Sequence, residues 1–202
     1  MKLYSYVVAH DHGFAPNPFW GYCTLALCTP NHMGAKAQMG DWIMGTSPKS
    51  SGNKLIYLMQ ISETLPFDIY YNDQRFEKKK PNIHGSWKER NGDNIYYKNQ
   101  SGEWKQHATL HHKSPDMIKK DLKYPVVFIA EKFYYFGEKA ISIPDAFNDL
   151  ILERQGCKHN HNENIVDSFL KWIQDSFPTG ISGNPTDPTT DCMNECEEIS
   201  CS

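Results

Sequence analysis

The residues with chemical reach gather in a few short stretches. His10-Asp11-His12 sets a carboxylate between two imidazoles, a pattern that could form a general acid/base pair or supply metal ligands. On a strand end, however, His10 and His12 share one face while Asp11 points away, and Asp11 is also well placed to cap the turn before Gly13. Asp93-Asn94 and His111-His112 lie in long, glycine-containing polar connections, so Asp11, Asp93 and His112 are the candidate acids and bases. Cys23 could act as a nucleophile, but it sits in an apolar strand, where a raised pKa and low reactivity are the default. Cys157, His159 and His161, with Cys192, Cys196 and Cys201, have irregular spacing and no CxxC, so neither a metal nor a cofactor is expected. No Walker A loop, GxGxxG, GxSxG, HExxH or kinase signature is present.

A second kind of chemistry is stacking. The stretch from Asp11 to Tyr22 (DHGFAPNPFWGY) carries four aromatics, two prolines and two glycines, and no further charge follows Asp11 until Lys36. Pro16 and Pro18 remove backbone donors, so the stretch is a rigid loop rather than a helix or central strand. Its rings either plug one end of a sheet or line a pocket for a flat ligand, with Phe14, Phe19 or Trp20 stacking and Asn17 reading an edge. Gly40-Asp41-Trp42 is a tight corner whose Asp41 can take neighbouring amides and whose Trp42 could wall the same pocket. Arg75 and Lys79, in a run ending Lys78-Lys79-Lys80-Pro81, could hold a phosphate or form a solvated charge face.

The elements that must position these groups follow from periodicity. Residues 2–9 alternate and read as a strand, as do 21–28, 42–46 and 55–63. In the last of these Leu55, Tyr57, Met59 and Ile61 should share one face, with Ile56, Leu58 and Gln60 on the other. A helical turn is expected at 33–39, and Asp68 should cap a short helix over 69–76. Residues 82–123 read as long loops with a short strand at 94–97, and 124–136 as a strand or strand pair. Residues 144–154 suit a short helix and 163–177 a longer one, with Ile165, Phe169, Trp172, Ile173 and Phe177 on one stripe. Residues 178–202 lack a period and read as a disordered tail behind a single domain of residues 1–177. Strands first and helices last predict α+β: a curled mixed sheet or small barrel with two C-terminal helices.

The totals narrow the partners. A net charge of -3 is not that of a protein gripping long duplexes through phosphates. No stretch approaches a membrane span, the N-terminus is too polar for a signal peptide, and six cysteines without a framework suit reduced cytosolic thiols.

Several stretches together resemble the second of the nucleotide-modification-associated domain families of bacteria and bacteriophages. They are Lys2–Ala9 with Gly13-Phe14-Ala15-Pro16-Asn17-Pro18-Phe19, Gly21-x-Cys23-Thr24-Leu25-Ala26, Gly40-Asp41-Trp42, Asn72-Asp73-x-Arg75-Phe76 with Lys79-Lys80-Pro81, Gly92-Asp93-Asn94-Ile95-Tyr96 and Phe133–Gly137. The turn at Gly40-Asp41 is similar, at fold level only, to PUA-like modules. The resemblance implies a cytoplasmic link to nucleotide or DNA-base modification in phage–host conflict. The expected partner is a nucleotide or nucleobase, including single-stranded or flipped-base DNA. Phe14, Phe19, Trp20 and Trp42 would stack it, Asn17 and Asp41 would read it, Arg75 and Lys79 would hold its phosphate, and Asn94 and Tyr96 would close the pocket. An enzyme using Asp11, Asp93 or His112 is the alternative.

Overall fold

The computed structural model describes residues 1–27, 37–152 and 156–187. Its strands are β1 (Leu3–Val7), β2 (Cys23–Leu25), β3 (Trp42–Thr46), β4 (Leu55–Gln60), β5 (Glu63–Pro66), β6 (Tyr96–Lys98), β7 (Trp104–Gln106), β8 (Val126–Ala130), β9 (Lys132–Tyr135), β10 (Cys157–Lys158) and β11 (Gly180–Ile181). Its helices are α1 (Phe67–Asn72), α2 (Trp87–Arg90), α3 (Pro115–Asp121) and α4 (Glu163–Ser176). The main sheet runs β10-β1-β3-β4-β9-β11, a smaller one β2-β8-β5, and β6-β7 is a separate hairpin.

The two sheets are one ladder that bends. The β4–β9 register begins at Tyr57↔Tyr135, and the β5–β8 register continues it without a slip to Pro66↔Val126. The sheet is therefore strongly curled, but it does not close, so of the two expected forms the barrel is corrected to an open mixed sheet.

Alternation along the strands sorts side chains to two faces. Leu3, Trp42, Met44 and Leu58 pack under α4, whose Val166, Phe169, Leu170 and Ile173 are buried there. Tyr4, Ile43, Tyr57, Met59 and Tyr135 fill the opposite face with Cys23 and Leu25 of β2. The expected faces of β4 hold from Tyr57 onward and swap before it: Leu55 joins the α4 side and Ile56 the other. A bulge is the reason, because Gly45 pairs with Tyr57 and Thr46 with Leu55, leaving Ile56 outside the pairing. Gly45 is required there, since a Cβ would come within 2.4 Å of the Tyr57 ring. A third cluster, with Phe14, Phe67, Tyr70, Phe76, Tyr96 and Ile129, packs the aromatic loop against α1 and the β6–β7 hairpin.

Other expectations are revised. Pro66, not Asp68, precedes α1, and Asp73 caps the following 3-10 turn by accepting the Arg75 N–H at 2.9 Å. The region read as loops carries α2, α3 and β7 besides the expected strand, which itself lies at Tyr96–Lys98 and forms a hairpin with β7. Of the helix expected at 144–154, the described residues, 144–152, hold a 3-10 helix at Asp145–Leu150 instead of an α-helix. The turn expected at 33–39 and the last three cysteines fall largely or wholly outside the described residues.

The chain also continues in regular contact past Phe177. β11 adds in parallel to β9, and Ser182 N–H donates to Tyr135 O at 2.8 Å. Gly137 makes this docking possible. Its φ is +54° and a Cβ would lie 2.0 Å from Asn184 O. Gly137→Ala should cost about 1–3 kcal/mol and loosen residues 180–187. A lower melting temperature and faster thermolysin cleavage at the Gly180–Ile181 bond are the expected results, and an unchanged melt with unchanged cleavage would refute the docking role.

Candidate functional site

Two polar assemblies meet behind the aromatic loop. The first is wholly buried. Asn17 pairs with Thr24 through reciprocal backbone hydrogen bonds of 2.9 Å, which hold the loop against β2. Lys79, with no exposed surface, donates to Asn17 O (2.9 Å), Asn17 Oδ1 (2.7 Å) and Tyr22 O (3.0 Å), so all three ammonium protons are used. Asp93 accepts from Thr24 Oγ1 at 2.6 Å and from Tyr70 OH at 2.7 Å. Burial pushes the Lys79 ammonium down to about 8, opposed by the nearby Asp93 charge. Burial also raises Asp93, opposed by Lys79 and the two hydroxyl donors. Gly92 fits directly against the Lys79 backbone, where a Cβ would come within 2.3 Å of Lys79 O. Asn94 donates to Tyr70 O and Phe76 O, tying α1 to the 3-10 turn after it.

The second assembly is a histidine–carboxylate cluster. Asp11 is buried, and the Tyr135 hydroxyl lies 2.7 and 2.8 Å from its two oxygens. Burial lifts the Asp11 carboxyl to about 6, against the opposing pull of Tyr135, the Gly13 amide, Thr186 and His12. The rings of His10, His12, His111 and Phe14 follow one another at centroid distances of 6.0, 5.5 and 4.1 Å with interplanar angles of 10°, 32° and 27°. His12 donates from Nδ1 to Asp187 O at 2.7 Å, because a carbonyl can only accept. Burial drives His111 down to about 3, so it is a neutral ring at ordinary pH. His112, in the left-handed region at φ 52°, meets Asp121 Oδ2 through Nδ1 at 2.5 Å, and Tyr96 OH reaches the same oxygen at 2.8 Å.

Asn91 joins the two assemblies. Its carbonyl accepts from Asn17 Nδ2 (3.0 Å), and its amide nitrogen donates to Trp87 O (2.9 Å). Its Oδ1 therefore faces His111 Nε2 at 2.5 Å, and His111 carries its proton there. Residues 185–187 form one wall: Pro185 packs on Gly13, and Asp187 N–H donates to Asp11 O at 3.0 Å.

A family model described as nucleotide modification associated domain 2 matches residues 1–192. The chain belongs to that family. No curated protein and no solved structure matches it. The match to the nucleotide modification associated domain 2 model extends past residue 177 and takes in the strap at 180–187, whose Asp187 meets His12, and the family's description ties the chain to nucleotide modification.

Within this family member, the groups singled out from sequence separate into sets. Asp11, Phe14 and His112 come together, with His10, His12 and His111. Asn17, Lys79 and Asp93 form the buried network beside them, and Tyr96 reaches the cluster through Asp121. Phe19 is buried against Trp87, and Trp20 is partly exposed. Three residues lie elsewhere. Trp42 is buried under α4 on the far face of the sheet with Lys132 over its ring, and Asp41 accepts the Lys2 and Gln38 amides at that end. Arg75 is exposed and held by Asp73 and Glu63, which draw its pKa further up. Cys23 has no exposed surface, and burial pushes its thiol up to about 12, the state of an inert core residue. Among the described residues no group of His, Cys, Asp or Glu is placed to hold a metal ion, and no helix is long and apolar enough to cross a membrane. The histidines flanking Asp11 were raised as an acid/base pair or metal ligands but not kept among the candidates, and the Asn91 bridge was not singled out; the two His-containing runs were the available signal.

Proposed function

We propose that this chain recognises a nucleobase or nucleotide, modified bases included, at the histidine–carboxylate cluster, in a DNA-modification or phage–host conflict setting in the bacterial cytoplasm. The convergence of His10-Asp11-His12 with His111-His112 over Phe14, from opposite halves of the chain, carries this reading. A column of flat rings suits stacking. A carboxyl near pKa 6 can donate or accept at a base edge according to pH. Lys79, Asp93 and the Asn94 amide nitrogen serve as the scaffold behind it, because their hydrogen bonds are made within the protein.

Titration calorimetry over a panel of modified and unmodified bases and nucleotides tests this. Binding of a subset is expected, with a pH dependence that Asp11→Asn removes. A folded protein that binds no member of the panel would end the proposal. The His112–Asp121 contact favours a second reading, acid/base catalysis on the bound base with Asp11 as proton carrier. Asp11→Asn should then abolish turnover while binding persists, and turnover unchanged in Asp11→Asn would argue against it.

A further inference from the structure

The far end of the aromatic loop presents a different surface. Trp20 sits in the left-handed region at φ 59°, followed by Gly21 at φ 89°. A bulky residue there is strained, and glycine would serve the turn without cost. The strain is not offset by deep burial, since the indole is only partly covered. The Lys79 ammonium lies 5.9 Å from its ring centroid, and the Phe19 edge supports it at 5.7 Å. Phe19 also meets Trp87, itself partly exposed, at 5.4 Å. The Lys88 ammonium stands 5.3 Å from Phe19 and 5.4 Å from Trp87.

The charge around these rings opposes that of the whole chain. Residues 76–90 hold Lys78, Lys79, Lys80, Lys88 and Arg90 against Glu77 and Glu89, in a protein of net charge -3. Both acids are engaged, Glu77 with Lys80 and Glu89 with the Ser86 amide and hydroxyl that cap α2. Lys78 and Lys88 are exposed and have no carboxylate partner among the described residues. Indoles beside the uncompensated Lys88 ammonium match the alternation of bases and phosphates in an unpaired strand. The same α2 is tied to the histidine cluster through Trp87 O, Asn91 and His111.

We infer that the Trp20–Trp87–Lys88 face binds single-stranded nucleic acid. Bases stack on the two indoles and a phosphate rests on Lys88. This rests on the function proposed above and deepens it: the base offered to the cluster arrives as part of a strand.

Fluorescence anisotropy with a labelled deoxythymidine oligomer of about twelve nucleotides tests the face. The full chain should bind it more tightly than thymidine monophosphate, and less tightly as salt rises. Trp20→Gly, which relieves the backbone strain, and Lys88→Glu should each weaken binding roughly tenfold with an unchanged circular dichroism spectrum. An oligomer held no better than the monophosphate, or held equally by both variants, would overturn the face and leave the pocket standing. Oligomer binding that depends on Trp20, with no binding by any mononucleotide of the panel, would support the face and remove the pocket.

Discussion

Lys79→Met will lower the melting temperature by roughly 10 °C, the largest single effect expected in this protein. Methionine fits the length of the lysine stem, so the loss is not mainly one of volume. It removes the ammonium protons that Asn17 O, Asn17 Oδ1 and Tyr22 O accept at 2.7–3.0 Å; Asn17 O keeps the Thr24 N–H and Asn17 Oδ1 a longer bond of 3.3 Å from the Phe19 N–H, while Tyr22 O loses the Lys79 donor outright. An orphaned buried acceptor costs about 1–3 kcal/mol. The compensating gain is relief of the desolvation that already depresses the lysine to about 8, which is smaller than three lost bonds together with an unbalanced Asp93. The net expectation is about 3–5 kcal/mol of destabilisation. A double-mutant cycle sharpens the test: the same replacement should cost less in an Asp93→Asn background, because the two charges act on one another. A melt within a few degrees of wild type would show that the network contributes little.

Asp11→Asn should act in the opposite direction and only above acid pH. The native carboxyl, at about 6 against an ordinary 3.8, binds its proton more tightly than the unfolded one. Between those two values the native state therefore carries more protons, and stability falls as pH rises through the window. A shift of that size is worth about 3 kcal/mol, all of it lost above the native pKa. Asparagine cannot ionise, and its Oδ1 still accepts from Tyr135. Relative to wild type, the variant should thus gain about 3 kcal/mol between about pH 4 and pH 7.5. Urea midpoints across this range measure it, and parallel profiles for the two proteins would refute a raised native pKa.

How much of this was legible beforehand depends on range. α4 was readable to within a residue, because its apolar stripe repeats at helical spacing, although Val166 and Leu170 lie deeper than Ile165 and Trp172. β1 and β3 were readable because Tyr, Val, Trp and Ile alternate across a two-sided core. Some local signals were present and unused: Ser86-x-x-Glu89 is a capping box, and Ser114-Pro115 is a helix start. The bulge at Gly45-Thr46 had a glycine to announce it. The cluster itself was not legible. Asp11 could be placed on a turn, but nothing local says that His111 stacks on Phe14 or that Tyr135 closes on Asp11. Those contacts depend on how the ladder bends. The strap at 180–187 was missed for a related reason: its polar, glycine-rich composition resembles a free tail, and its order comes from backbone bonds to Tyr135 and Asp11 that carry no side-chain pattern.

The unbroken register from Tyr57↔Tyr135 to Pro66↔Val126 also constrains how the molecule can move. A slip by one residue would turn Tyr135 and Ile129 to the wrong face, so the ladder behaves as a single curved beam. Tyr135 beside Asp11 stands at one end of that beam, and Val127 and Ile129 beneath Phe14 and Tyr70 at the other. The back walls of the cluster therefore travel together, and the loop at 10–22, pinned through Asn17 to Thr24 and Lys79, travels with them; a ligand at the proposed cluster would enter past the strap at 182–187.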